Sequence, residues 1–190
     1  MEFTNTIQSL QKLGSKVVTE GKSILKNKKK TTSGNTLYNE FDYMVTASKD
    51  SVTLEFEFGN ADDYWMFVDE GVRGAGGYKG RGKMRGGQTK FRFGSGKSKG
   101  TWKEFNTSIK KWIANKPLRL RGSGGKFMKK NKQNINSVAY LIQRAIYQRG
   151  LERTQFFSKP FTQQLKKQTD KITEAFADDI EAMLEKTLKD

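Results

Sequence analysis

The sequence predicts an α+β fold: a small antiparallel sheet of about three to four strands, packed with N-terminal and C-terminal helices and interrupted by a long basic Gly-rich arm. Three observations carry this expectation. Apolar residues recur at helical spacing at both ends of the chain. Residues 51–58 alternate strictly between apolar and polar. Between the strands and the later helices lies a segment, 71–100, with eleven glycines and little periodicity of either kind. Because strands and helices are grouped rather than alternating, a parallel α/β sheet is not expected.

Residues 3–26 read as an amphipathic helix, with Phe3, Ile7, Leu10, Leu13, Val17, Ile24 and Leu25 at spacings of three, four or seven. Gly14 and Gly21 weaken that helix, by about 1 kcal/mol each if solvent-exposed. The run Lys26-Asn27-Lys28-Lys29-Lys30, followed by Thr31-Thr32-Ser33-Gly34, ends it as a basic linker. Residues 1–34 are therefore expected to stand apart from a single α+β domain at 35–190.

Two strands follow. Residues 37–46 place Leu37, Phe41, Tyr43 and Val45 on one side. Residues 51–58 turn Val52, Leu54, Phe56 and Phe58 inward, and Ser48-Lys49-Asp50 suits the hairpin turn. Asn60 reads as an N-cap, with Asp63 three residues on, for a short helix carrying Tyr64, Trp65, Phe67 and Val68 that Gly71 stops. Within the basic arm at 71–100, Lys90-Phe91-Arg92-Phe93 alternates and is expected to return to the sheet as a strand. Thr101 and Glu104 form a capping box for a helix bearing Trp102, Phe105, Ile109, Trp112 and Ile113. A second basic loop spans 118–132. A helix at about 134–149 ends at Gly150, Leu151–Phe157 connects, and Ser158 with Pro160 opens a last helix bearing Leu165, Ile172, Phe176, Ile180, Met183, Leu184 and Leu188. The first and last helices are more amphipathic surface than so small a sheet can cover, so they are candidates for contacts between subunits.

Charge is sharply segregated. Residues 71–132 contain nineteen Lys/Arg and one acid, Glu104, whereas residues 35–70 contain nine Asp/Glu and one Lys, in a chain of net charge +16. Unpaired charges are too costly to bury, so the basic segment must meet something anionic. The expected contact residues are Lys79, Arg81, Lys83, Arg85, Lys90, Arg92, Lys97 and Lys99, spaced by Gly and Ser. Such a chain can approach phosphates without fixed geometry, and Tyr78, Phe91 and Phe93 can stack on bases. No base-reading helix is visible, so any DNA contact would be blind to sequence. An acidic neighbour is the other destination: Glu55, Glu57, Asp62, Asp63, Asp69 and Glu70 are candidates for a subunit interface.

The chain has no His and no Cys, which removes the commonest general base, the commonest zinc ligand and all thiol chemistry. The acidic residues suggest a divalent-metal nuclease only weakly, since a solvated strand face and helix N-terminal acids explain each position. No catalytic residue, cofactor or metal is expected. No apolar run is long enough to span a bilayer and no secretion signal is visible, so a protein made in the cytoplasm is expected.

Two stretches resemble the tailed-bacteriophage head–tail joining and tail-completion (neck) proteins. One is Tyr64-Trp65-Met66-Phe67-Val68-Asp69-Glu70-Gly71. The other runs from Val138 through Gly150-Leu151 to Phe156-Phe157-Ser158-Lys159-Pro160-Phe161. The resemblance implies a virion structural protein without catalysis, a homo-oligomeric ring of six or twelve copies between portal and tail. Its partners would be portal, other neck or tail proteins and, in the channel, double-stranded DNA. It also implies structural roles for Gly71, Gly150 and Pro160, and for Phe156, Phe157 and Phe161 as staples holding the last helix to the sheet. The alternative class is a sequence-independent nucleic-acid-binding protein.

Overall fold

The computed structural model describes residues 3–28, 36–76, 89–95, 101–115, 119–122 and 124–189. In chain order the elements are α1 (Thr4–Asn27), α2 (Thr36–Glu40), β1 (Asp42–Ala47), β2 (Val52–Glu57), a 3₁₀ turn (Gly59–Ala61), α3 (Trp65–Glu70), β3 (Val72–Arg73), α4 (Trp102–Asn115), β4 (Leu120–Arg121), β5 (Phe127–Met128), α5 (Lys132–Arg149), β6 (Gly150–Leu151) and α6 (Ser158–Lys189). The fold is α+β. The antiparallel pairing is divided among three two-stranded pairs, β1–β2, β3–β6 and β4–β5, in place of one sheet of three to four strands.

The chain forms two units: Met1–Asp69 with Thr154–Asp190, and Glu70–Arg153. This division falls elsewhere than at residue 34. The reason is that α1 packs along α6 and across the β1–β2 hairpin, so the first helix belongs to the same core as the last.

In the first unit the hairpin has the expected alternation, with Tyr43 opposite Phe56 and Val45 opposite Leu54 on the covered face. The first strand begins later than its sequence suggests. Leu37 and Phe41 are both fully buried and one helical turn apart, and the Phe41 N–H donates to the Leu37 carbonyl at 3.1 Å, so this stretch closes as α2. Phe41 centres an aromatic core. It stacks on Phe58 at 5.1 Å and meets Phe156 edge-on at 5.4 Å, while Phe157 and Phe161 pack on Phe56 at 5.1 and 5.8 Å. These rings hold the start of α6 against the hairpin.

Gly14 and Gly21 turn out to be packing positions rather than weak points. A Cβ on Gly21 would lie 2.6 Å from the Phe41 ring and 2.7 Å from the Phe156 carbonyl oxygen, and one on Gly14 would run into the Tyr43 ring. The hairpin approaches α1 closely because those side chains are missing.

Asn60 lies inside the 3₁₀ turn instead of capping α3. Its backbone N–H donates to the Glu40 carboxylate at 2.6 Å, which pins the turn to the end of α2. Gly59 supplies the positive φ, +53°, that the turn needs.

The α1–α6 pair departs from the apolar stripe expected of α6. Beyond Pro160, its buried positions are Gln164, Gln168, Ala175 and Asp179, whereas Leu165, Phe176, Leu184 and Leu188 are exposed. Two of these polar residues find partners on α1. Gln164 donates to the Glu20 carboxylate, and Asp179 accepts from the N–H groups of Asn5 and Thr6.

In the second unit, α4 and α5 pack around Ile109, Ile113, Leu120 and Ala139. Gln143, fully buried, ties them together: it accepts from Asn106 and donates to the Trp102 carbonyl, each at 2.7 Å. The capping box forms as expected. The Thr101 hydroxyl accepts from the Glu104 N–H at 3.2 Å, while the Thr101 N–H donates to the Glu104 carboxylate at 2.8 Å. Gly71 and Gly150 have φ of +75° and +89° where β3 and β6 run against each other; a Cβ on Gly71 would lie 2.7 Å from the Leu151 carbonyl oxygen. The expected strand return at 90–93 reaches β3 alone. Arg92 forms a single parallel bridge to Arg73, with the Phe93 N–H donating to the Arg73 carbonyl at 2.9 Å.

Among the described residues, no helix is long and apolar enough to cross a membrane.

Candidate functional site

The acidic residues of the first unit divide into two groups. Glu55 and Glu57 lie on the open face of the β1–β2 hairpin. The register puts Asp42 directly opposite Glu57 and Met44 opposite Glu55, so three carboxylates and an exposed methionine share this face. Like charges directly opposite across a sheet are destabilising, and an external cation would relieve them. Asp62 and Asp63 are exposed in the turn before α3.

Asp69 leaves this set. It is 2% exposed, and its carboxylate accepts from the backbone N–H groups of Phe157 at 2.8 Å and Ser158 at 3.3 Å. It caps α6 from a distant part of the chain, satisfying donors that a helix N-terminus leaves open. Its backbone carbonyl also accepts from Thr154 and Gln155; buried and bonded to the start of α6, the side chain is committed to the fold and closed to a neighbouring subunit. Glu70 belongs to the second unit. It accepts from the Thr89 hydroxyl at 3.3 Å and lies 3.9 Å from Lys90, so one cation of the arm is matched by an acid of its own unit.

Asp179 caps α1 in the same manner. Phe3, at the N-cap position, offers no side-chain acceptor, and the Asp179 carboxylate takes the Thr6 N–H at 2.8 Å and the Thr6 hydroxyl at 2.7 Å. Burial pushes this carboxyl up, but the hydrogen bonds from Thr6 and Asn5 outweigh it and hold the group below the usual aspartate range. Glu104 is also held low, first by the Thr101 backbone N–H and then by its hydroxyl.

Of the arm, Lys79, Arg81, Lys83, Arg85, Lys97, Lys99 and Tyr78 lie outside the described residues. Lys90 and Arg92 are exposed, and Arg92 donates to the Ala75 carbonyl at 3.3 Å. Phe93 is not presented as a base-stacking ring. It stacks on Phe105 at 6.2 Å and packs on Tyr147 at 5.9 Å, within the second unit.

The loop expected at 118–132 contains a small hairpin, which is the feature sequence reasoning missed. Leu120 pairs with Met128 on the covered face, and Arg121 pairs with Phe127 on the outer face. The turn closes through the Gly122 N–H donating to the Lys126 carbonyl at 2.9 Å, with Gly125 at φ +74°. Phe127 is 59% exposed, and the guanidinium groups of Arg119 and Arg121 lie 5.5 and 4.8 Å from its ring centre. The signal available in the sequence was twofold: the alternation Arg119-Leu120-Arg121, and the lack of any Asp or Glu between Glu104 and Glu152.

The structural division is also a division of charge. Glu70–Arg153 contains 22 Lys/Arg and three Asp/Glu, and the rest of the chain contains 14 and 17. Among the described residues, no group of three or more acidic, His or Cys side chains is placed to hold a metal ion. What the surfaces offer chemically is ionic contact. Comparison with protein-family models, with curated proteins and with solved structures found no match.

Proposed function

We propose that the chain is a structural subunit of a tailed-phage neck or tail ring, acting without catalysis or cofactor to join portal to tail in the virion. The observation that carries this reading is the coincidence of the charge division with the structural division. One unit displays the acidic hairpin face of Asp42, Glu55 and Glu57, and the other carries the whole positive excess. In a head-to-tail ring, each copy can set its acidic face against its neighbour's basic unit, a heterologous contact that repeats until the rotation closes. A second support is the meeting of the two stretches that carry the resemblance to neck proteins. Asp69, from the first, caps the helix that begins at Ser158 in the second, and Gly71 lies against Leu151.

Negative-stain electron microscopy of the purified protein, with sedimentation velocity across a concentration series, tests the reading. Annuli are expected, weakened by Glu55→Lys/Glu57→Lys and by deletion of residues 74–99. A protein that stays monomeric at every concentration and is missing from mature particles overturns it.

A second reading, a sequence-independent nucleic-acid-binding protein, is favoured by the ratio of 22 basic to three acidic residues in one unit. Under it, the same deletion abolishes salt-sensitive DNA binding and leaves the oligomeric state unchanged.

A further inference from the structure

We infer that the β4–β5 hairpin of the second unit is a preorganised clamp for the phosphate backbone of duplex DNA, contacting it through Arg119 and Arg121 without reading its sequence. The inference deepens the proposed function by naming a partner for one folded surface, and its chemistry does not depend on whether the subunit closes into a ring.

Three observations carry it. The first is geometry. Arg119, immediately before β4, and Arg121, within it, flank the buried Leu120, and both are exposed. Phe127, cross-strand from Arg121, lies beneath both guanidinium groups at 5.5 and 4.8 Å. A guanidinium held against a ring loses less side-chain freedom when it engages an anion. This explains why a phenylalanine is left 59% exposed at the tip of a hairpin: its ring orients two cations.

The second is charge. Residues 105–151 contain eleven Lys/Arg and no Asp or Glu, yet they include a packed core around Ile109, Ile113, Leu120 and Ala139. This folded block carries its positive charge with no carboxylate of its own. Lys126 and Lys129 are exposed on the same hairpin and extend the positive surface beyond the two arginines.

The third is the kind of anion such a surface fits. Protein–protein interfaces are depleted in lysine. Surfaces of one sign, rich in both Arg and Lys, are typical of protein–DNA interfaces. The Phe127 ring already has two guanidinium groups within 5.5 Å of its centre, which favours phosphate contact on the outside of a duplex over base stacking with single strands.

Fluorescence anisotropy with a duplex of mixed sequence tests this, between about 50 and about 200 mM salt. The same strand unpaired and poly-glutamate serve as competitors. Wild-type protein should bind the duplex in preference to both competitors, with little change between duplex sequences. Arg119→Gln/Arg121→Gln should weaken binding roughly tenfold at the lower salt and reduce the slope of log affinity against log salt by about 2. Phe127→Leu leaves the charge unaltered and should weaken binding several-fold at nearly unchanged slope, the signature of lost preorganisation. Arg119→Lys/Arg121→Lys, which keeps the charge and the hairpin face, should fall between wild type and the Gln pair, and it carries the test should the Gln pair not fold. Unchanged affinity in the Gln or Lys pair overturns the inference, as does tighter binding of poly-glutamate or of the single strand. Sedimentation velocity on the same samples separates the two proposals. Rings that ignore DNA sink the clamp and leave the neck reading intact; a monomer that binds DNA through the hairpin does the reverse.

Discussion

In the first unit Phe41 is wholly buried, with Phe56, Phe58, Phe156 and Phe157 around it; in the second, Phe127 stands open to solvent beneath two arginines. The same side chain serves opposite ends. One unit gathers Phe41, Phe58 and Phe156 inward, where area removed from water stabilises the fold. The other uses Ile109, Ile113, Leu120 and Ala139 as its core and leaves Trp102, Trp112 and Phe127 substantially exposed among cations. The contrast shows that aromatic content alone does not report core size: where rings and cations mix without acids, the ring belongs to the surface and to whatever that surface meets.

The largest expected effect is the direct test of this contrast. Phe41→Ala should destabilise by about 3–5 kcal/mol, as for other fully buried rings. Phe127→Ala should change stability by no more than about 0.5 kcal/mol. Urea unfolding measures both, and equal costs would break the comparison.

A neighbouring pair of acids sharpens it next. Asp69→Ala leaves the Phe157 and Ser158 N–H groups without their acceptor and should cost about 1–3 kcal/mol. Glu70→Ala, one residue on and in the second unit, should cost about 0.5 kcal/mol or less, because its carboxylate and its partner Lys90 are exposed and its hydrogen bond from Thr89 is long, 3.3 Å. Thermal midpoints of the two variants should therefore separate clearly, and a Glu70 variant as unstable as the Asp69 variant would contradict the assigned cap.

The smallest effect is a pH dependence. Asp179 has a lower pKa folded than unfolded, so its stabilisation is fully present above the ordinary aspartate value of about 4 and is lost as pH falls through the folded value. Asp179→Asn should lower the thermal midpoint at neutral pH and flatten its decline in acid. A variant whose midpoint still falls as steeply as that of wild type would show that Asp179 contributes little to the acid response.

Features whose cause lies within a few residues were legible in the sequence. The alternation Val52-Leu54-Phe56 gave the hairpin face, Thr101 and Glu104 gave the capping box, and Gly71, Gly150 and Ser158 marked helix boundaries where they occur. Gly14 and Gly21 read wrongly because helix propensity weighs only a glycine's local cost, whereas their value lies in the approach of Tyr43 and Phe41. The caps supplied by Asp69 and Asp179 were beyond reach for the same reason, since their partners lie 88 and 173 residues away. The Arg119, Arg121 and Phe127 arrangement lay between these cases. Its strands are two residues each, too short for periodicity to register, yet the acid-free run around them was plain to count.

The two borrowed caps also set an order of assembly. During synthesis, residues 1–69 leave the ribosome well before 154–190, so the opening helix must wait for Asp179 to close its first turn. The intervening cationic block is complete while its scaffold is still half made. A nascent chain of this kind completes its cationic unit before the residues that close the other unit have been made.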